Sequence, residues 1–337
     1  MDLEQNIENT GYFIFSLDTE LAAGRFDRDE IRNKMFSKNG LRERETILRL
    51  IDLFEEYKIA GTWAIVGHLF HEICEYCETC PLKDWEGKYS SFEEVYGTNN
   101  PLWYGADIIE DLLCKGARQE IAFHGYTHKI FDENMMTAQE ARTEVQEWLN
   151  VGKKKGIVPL SVTFPRNRDG HLDILKEAGF ICYRNKPEIS VYSNHKYIGK
   201  ILKTVDYLLG ISKIPIFDLT YLENQGMVVL RVSQYLFDFN RRFELFIDSL
   251  NLQNLRINRI IKGVKRAAQE KKMIHIWAHP CEFRTEKDFS KLREIFIAVS
   301  EEVRMGRMQS VGMNKMARII FKKHLSTKEL NIKSLPN

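Results

Sequence analysis

Short apolar runs alternate along the chain with longer stretches whose apolar positions recur at helical spacing. "GYFIFSLD" (11–18) is an aromatic and aliphatic run that turns polar at its end, the pattern of a buried strand. "LRERETILRLIDLFEEYKI" (41–59) places Ile47, Leu48, Leu50, Ile51, Leu53 and Phe54 at helical spacing between charges. "GTWAIVGHLF" (61–70), "QEIAFHG" (119–125), "PLSVTFPRN" (159–167), "ICYR" (181–184), "MVVLRVSQYLF" (227–237) and "KMIHIWAHP" (272–280) read as further strands. Helices are predicted over 106–118, with Gly116 near the end, and over 137–156, with Thr137 as N-cap and Glu140 completing a capping box. Further helices are predicted over 169–180, 254–271, 287–306 and 314–321. Strands alternating with helices imply a parallel sheet covered by helices, either an α/β barrel or a doubly wound sheet.

The polar residues collect where strands end: Asp18, His124, Arg166 with Asn167, and His279. Ligand sites of parallel α/β folds lie at the carboxyl ends of strands. Several strand ends that each carry one functional group favour the barrel. Residues 71–103, rich in Cys, Gly, Asn and Pro, read as an insertion within one domain over 1–320, and 321–337 as a basic, partly disordered tail.

The net charge of +2, from 49 basic and 47 acidic residues, points to no nucleic-acid partner. No apolar run approaches the roughly 18 residues of a membrane span. The start "MDLEQNIENTGYFIF" lacks the basic opening and apolar core of a signal peptide, so a soluble, cytoplasmic chain without membrane insertion is expected. Six cysteines in such a chain are expected as free thiols. Cys74, Cys77 and Cys80 form a C-x2-C-x2-C run, which suits a zinc or iron–sulfur site or else belongs to a cysteine-rich loop; no fourth ligand is obvious, although His68 and His71 lie just upstream.

In "HGYTH", His124 and His128 lie four apart after a strand. A helical turn there returns both imidazoles to one face, where they can share a metal. A third ligand is available from "SLDTE": of Asp18 and Glu20, one holds the metal and the other takes a proton from the attacking water. His279 suits a general acid, His275 a structural histidine deeper on the same strand, and His171 a helix start. Arg166, in "FPRNRDGH", suits a cation that keeps the carboxylates ionised.

In order, "FSLDTE", "HGYTH", "TFPRNRDGHLDILKEAGF" and "IHIWAHP" resemble the polysaccharide deacetylase family, also called the NodB-homology or carbohydrate esterase family, over roughly residues 11–315. The resemblance implies a distorted (β/α) barrel with parallel strands, one divalent metal ion (zinc by expectation), and removal of acetyl groups from N-acetylated sugars. It implies His124, His128 and Glu20 as metal ligands, Asp18 as base, Arg166 as its partner and His279 as acid. It also implies an oxyanion donor among the backbone N–H groups near Tyr126. The chain departs from the family in having Thr19 where a second aspartate is common, Pro165 before Arg166, and no match to the aspartate–tryptophan motif. "NNPLWYG" and residues 210–240 resemble a subgroup found among bacterial surface-polysaccharide genes. Two other readings stand beside this one: a non-catalytic saccharide-binding protein on the same fold, and a hydrolase of non-sugar amide C–N bonds.

Overall fold

The computed structural model describes residues 10–25, 36–37, 39–73, 101–116, 118–185, 206, 212–237 and 253–333. Most of the predicted insertion, Cys74, Cys77 and Cys80 included, lies outside the described residues. The strands are β1 (Gly11–Thr19), β2 (Gly61–Ile65), β3 (Glu120–Phe123), β4 (Ser161–Thr163), β5 (Cys182–Asn185), β6 (Glu223–Asn224), β7 (Met227–Arg231), β8 (Gln234–Tyr235), β9 (Met273–Ala278) and β10 (Met308–Ser310). The helices are α1 (Leu41–Glu56), α2 (Ala106–Lys115), α3 (Ala138–Lys154), α4 (Leu172–Glu177), α5 (Gln253–Gln269), α6 (Glu286–Arg304) and α7 (Met313–Lys333).

Among the described residues the sheet runs β6-β7-β5-β4-β3-β2-β1-β9-β8, with β10 beside the start of β1. Every pairing is parallel except the β6–β7 hairpin. The sequence pattern predicts one strand over 227–237. Instead the chain breaks at Val232 and Ser233, so that β7 pairs with β5 while β8 pairs with β9 at the other end of the sheet. The break is held where the Ser233 N–H donates to the His275 carbonyl at 2.8 Å and the His275 N–H donates to Ser233 Oγ at 3.0 Å. One short segment thus joins the two ends of the curled sheet, and the result is a distorted (β/α) barrel with flanking helices.

The period-2 alternation of strand side chains sorts residues between barrel interior and helical jacket. On β1, Phe13, Phe15 and Leu17 join the core beneath α1 and α6, where Phe54 and Phe296 meet edge-to-face at 4.8 Å. Tyr12 and Ile14 face the other way, into a cluster with Met313, Met316 and Ile320 of α7. The α7 amino end is fixed there, with the Met313 N–H on Thr62 Oγ1 at 2.9 Å and the Asn314 N–H on Glu120 Oε2 at 3.1 Å. Ser16 and Asp18 follow Tyr12 and Ile14 on the same face of β1. The inward row therefore changes from apolar at the amino end to polar at the carboxyl end, and the same holds for Cys182 to Arg184 and for Met273 to His275. The helix predicted over 314–321 runs on to Lys333, with His324 stacked on Tyr221 at 4.3 Å.

Candidate active site

Glu20 lies just beyond β1, and three imidazoles converge on its Oε1: His128 Nε2 at 3.1 Å, His124 Nε2 at 3.2 Å and His279 Nε2 at 3.5 Å. Burial raises the Glu20 carboxyl, but the charges of His128 and His279 and the bonds from His124 and His128 hold it well below the usual carboxylate range. Arg25 approaches Glu20 Oε2 at 3.5 Å from the turn that follows. That turn needs Gly24, because a Cβ there would lie 1.9 Å from Glu20 Oε2.

His124 Nδ1 lies 2.8 Å from the Thr163 carbonyl oxygen, an atom that only accepts. With Nδ1 donating to that carbonyl, Nε2 is the atom that faces Glu20 and the one that would bind an ion placed between them. Burial lowers His128, opposed by the Glu20 charge, and so favours the neutral ring there. Two imidazole nitrogens and a carboxylate oxygen, all within 4.8 Å of one another, form a donor set that fits a divalent metal ion. The backbone reaches this geometry without the predicted helical turn. Gly125 (φ 72°) and His128 (φ 64°) both take the left-handed conformation, and a tight loop replaces the helix.

Asp18 has a carboxylate oxygen within 4.8 Å of ligating atoms of Glu20 and His279. Its carboxylate takes a bidentate pair from Arg184, with Nη1 at 2.7 Å from Oδ1 and Nη2 at 2.6 Å from Oδ2. Burial raises the Asp18 carboxyl, yet the Arg184 charge and the neighbouring histidines bring it below the ordinary value. Arg184 also donates to Ser16 Oγ at 3.1 Å and Asn167 Oδ1 at 3.1 Å, and its guanidinium lies 4.3 Å from the Trp277 ring centroid. Ser16 Oγ lies 2.9 Å from His275 Nε2. Ser16 Oγ accepts from Arg184 and keeps a second lone pair and its own proton for the contact with His275, a buried neutral ring whose tautomer sets the direction of that bond.

The buried pair expected of Arg166 is therefore made by Arg184. The strand β4 ends at Thr163, and Arg166 and Asn167 enter a left-handed turn (φ 57° and 52°) that leaves Arg166 exposed and turns Asn167 toward Arg184. Arg184 carries the signal used for the other strand ends, a polar residue closing the apolar run "ICYR", and sequence reasoning passed it over.

His279 follows β9. Its Nδ1 lies 3.0 Å from the Tyr235 hydroxyl and 3.3 Å from Glu282 Oε2, and the same hydroxyl donates to Glu282 Oε1. Burial lowers His279, but the Glu20 and Glu282 charges raise it to about 9. The orienting carboxylate is thus Glu282, three residues along the same turn. Tyr235 is stacked on Trp277 at 4.3 Å.

The Tyr126 N–H does not face the site. It donates to Glu144 Oε2 at 2.7 Å, and the Thr127 N–H donates to the same oxygen at 2.9 Å, which removes both as oxyanion donors. Of the insertion's edges, His71 Nε2 lies 2.9 Å from the Tyr126 hydroxyl, and the Trp103 carbonyl lies 3.0 Å from His68 Nδ1. Trp103 and Tyr104 are buried.

No protein-family model and no curated protein matches the chain. Solved structures do. A protein from Pseudomonas aeruginosa PAO1 assigned as a polysaccharide deacetylase superposes with a TM-score of 0.54 at 14% identity, over 93% of this chain and 91% of that one. Another with the same assignment, from Mycobacterium smegmatis, superposes with a TM-score of 0.53 at 17% identity, over 94% and 92%. No helix among the described residues is long and apolar enough to cross a membrane. In fold, the chain is similar to these two proteins.

Proposed function

We propose that the chain is a metal-dependent hydrolase that removes the acetyl group from an N-acetylated sugar. One observation carries the reading. Asp18 and His279, which have opposite proton preferences, come together with Glu20, the ligating atoms of all three within 4.8 Å of one another. Asp18 is held ionised and His279 protonated, the states needed to take one proton and give another.

Glu20, His124 and His128 are the residues that would hold the metal. Two neutral imidazoles and one carboxylate suit zinc. Asp18, with both oxygens engaged by Arg184, is the less available ligand and the better base. A divalent ion there supplies Lewis-acid polarisation of the acetyl carbonyl. Asp18 takes a proton from the attacking water, whose oxygen bonds to the acetyl carbon. Arg184 keeps Asp18 oriented for that transfer. The C–N bond breaks, and His279 gives its Nε2 proton to the departing nitrogen, leaving acetate and a free amino sugar. Glu282 and Tyr235 fix the His279 ring through Nδ1.

A role in bacterial surface-polysaccharide assembly fits the subgroup resemblance of "NNPLWYG". The saccharide-binding alternative draws its support from the irregular arginine motif and the missing orienting carboxylate. Arg184 and Glu282 fill both places, so catalysis is the better reading.

Acetate release from a panel of N-acetylated sugars and non-sugar amides, with zinc present or removed by chelator, tests the proposal. Zinc-dependent release from a sugar is expected. Release from non-sugar amides alone supports the other hydrolase, and no release from any amide supports the binding protein.

A further inference from the structure

The loop that carries the two histidines is held by groups that no strand-end pattern identifies. Glu144 projects from α3 and is buried at 2% exposure. Its Oε2 accepts from the N–H groups of Tyr126 at 2.7 Å and Thr127 at 2.9 Å, and its Oε1 accepts from the Thr127 hydroxyl. The loop's carbonyls are held from the other side. The Gly67 N–H donates to the Gly125 oxygen at 2.9 Å and the His68 N–H to the Tyr126 oxygen at 2.8 Å. The approach is too close for a side chain at residue 67, since a Cβ there would lie 2.6 Å from Tyr126 Cδ2 and 3.1 Å from its Cα.

A buried carboxylate with three donors directed at it is a costly feature to place in a core, and losing one partner leaves the others unsatisfied. What it secures is a strained segment. Gly125 and His128 are both left-handed, and a non-glycine residue in that region persists only where its surroundings fix it. The geometry points to Glu144 as the positioning residue that sets the separation of His124 and His128. Glu144 touches neither histidine and acts through Tyr126 and Thr127. An alanine there removes the acceptors of both backbone N–H groups and of the Thr127 hydroxyl, so the loop must give way. This inference rests on the reading that Glu20, His124 and His128 bind a divalent ion.

The experiment is zinc binding by competition with a chromophoric chelator, at a temperature where each folded variant shows native near-UV circular dichroism. The His124→Ala protein is run in parallel to subtract any zinc held elsewhere, the cysteine run included. Glu144→Ala is expected to weaken zinc binding at the histidine site by about 10–100-fold, the usual effect of removing a group that orients metal ligands. Gly67→Ala, which pushes on the same loop from the far side, is expected to weaken it in the same direction. If Glu144→Ala does not fold, Thr127→Val removes a single bond to the carboxylate and is expected to weaken zinc severalfold. A purely structural Glu144 lowers the melting temperature and leaves zinc affinity of the folded protein within about twofold of wild type; that result, in Glu144→Ala or in Thr127→Val, overturns the inference while leaving the proposed function standing. A wild-type protein that takes up no more zinc than His124→Ala overturns both.

Discussion

Arg184 and Asp18 form a bidentate ion pair, 2.7 and 2.6 Å across its two arms, with side-chain exposures of 0% and 3%. Removing one partner of such a pair leaves a buried charge uncompensated, at a cost of about 3–5 kcal/mol. Arg184→Met should lower stability by about that amount in urea unfolding. Arg184→Lys should not restore it, because an ammonium cannot make the planar two-point contact. Arg166→Ala leaves the two bonds to Asp18 in place and should cost less than Arg184→Met.

His275 predicts a pH dependence of stability. Burial, and then the nearby Arg184 charge, lower its pKa from 6.5 to about 3. Between those values the unfolded chain binds a proton that the folded chain refuses. Stability from this residue is complete above about 6.5 and is lost as pH falls toward about 3, by up to about 1.4 kcal/mol per pH unit. Urea unfolding at pH 7 and pH 5 should show a shallower loss for His275→Gln than for wild type. Equal slopes would contradict the buried neutral ring.

Glu282 and Tyr235 both meet His279 at Nδ1, so they govern how its Nε2 is presented. Glu282→Gln should lower kcat for acetate release by about 10–100-fold, less than the roughly 100–10,000-fold of a whole general acid, with KM little changed. Tyr235→Phe should have a smaller effect in the same direction. A Glu282→Gln enzyme with wild-type kcat would show that the ring is oriented by something else.

Much of the barrel is visible in the sequence because its strands are short buried runs whose ends turn polar. Asp18, Glu20, His124, His128 and His279 stand out because each interrupts or closes such a run. Arg184 carries the same mark in "ICYR" but has no neighbouring motif to draw attention to it. Glu144 is legible only on a helical wheel, where it falls in the apolar stripe of Ala141, Val145 and Trp148 rather than on the solvated face. The division of 227–237 between β7 and β8 leaves no local trace, since an unbroken apolar run does not say which neighbour each half pairs with. The paired strand at Met308–Ser310 is too short to show a period. The two left-handed residues of the histidine loop are set by the tertiary bonds around it, so a helical turn is the natural misreading of an i, i+4 pair.

Zinc content and acetate release measured on one preparation of Asp18→Asn test the central claim most directly. With Glu20 as the metal carboxylate and Asp18 as the base, the variant should hold as much zinc as wild type and release acetate from an N-acetylated sugar at least about 100-fold more slowly. A fully zinc-loaded Asp18→Asn protein that releases acetate at the wild-type rate would contradict the account, and loss of zinc from that variant would exchange the roles of Asp18 and Glu20.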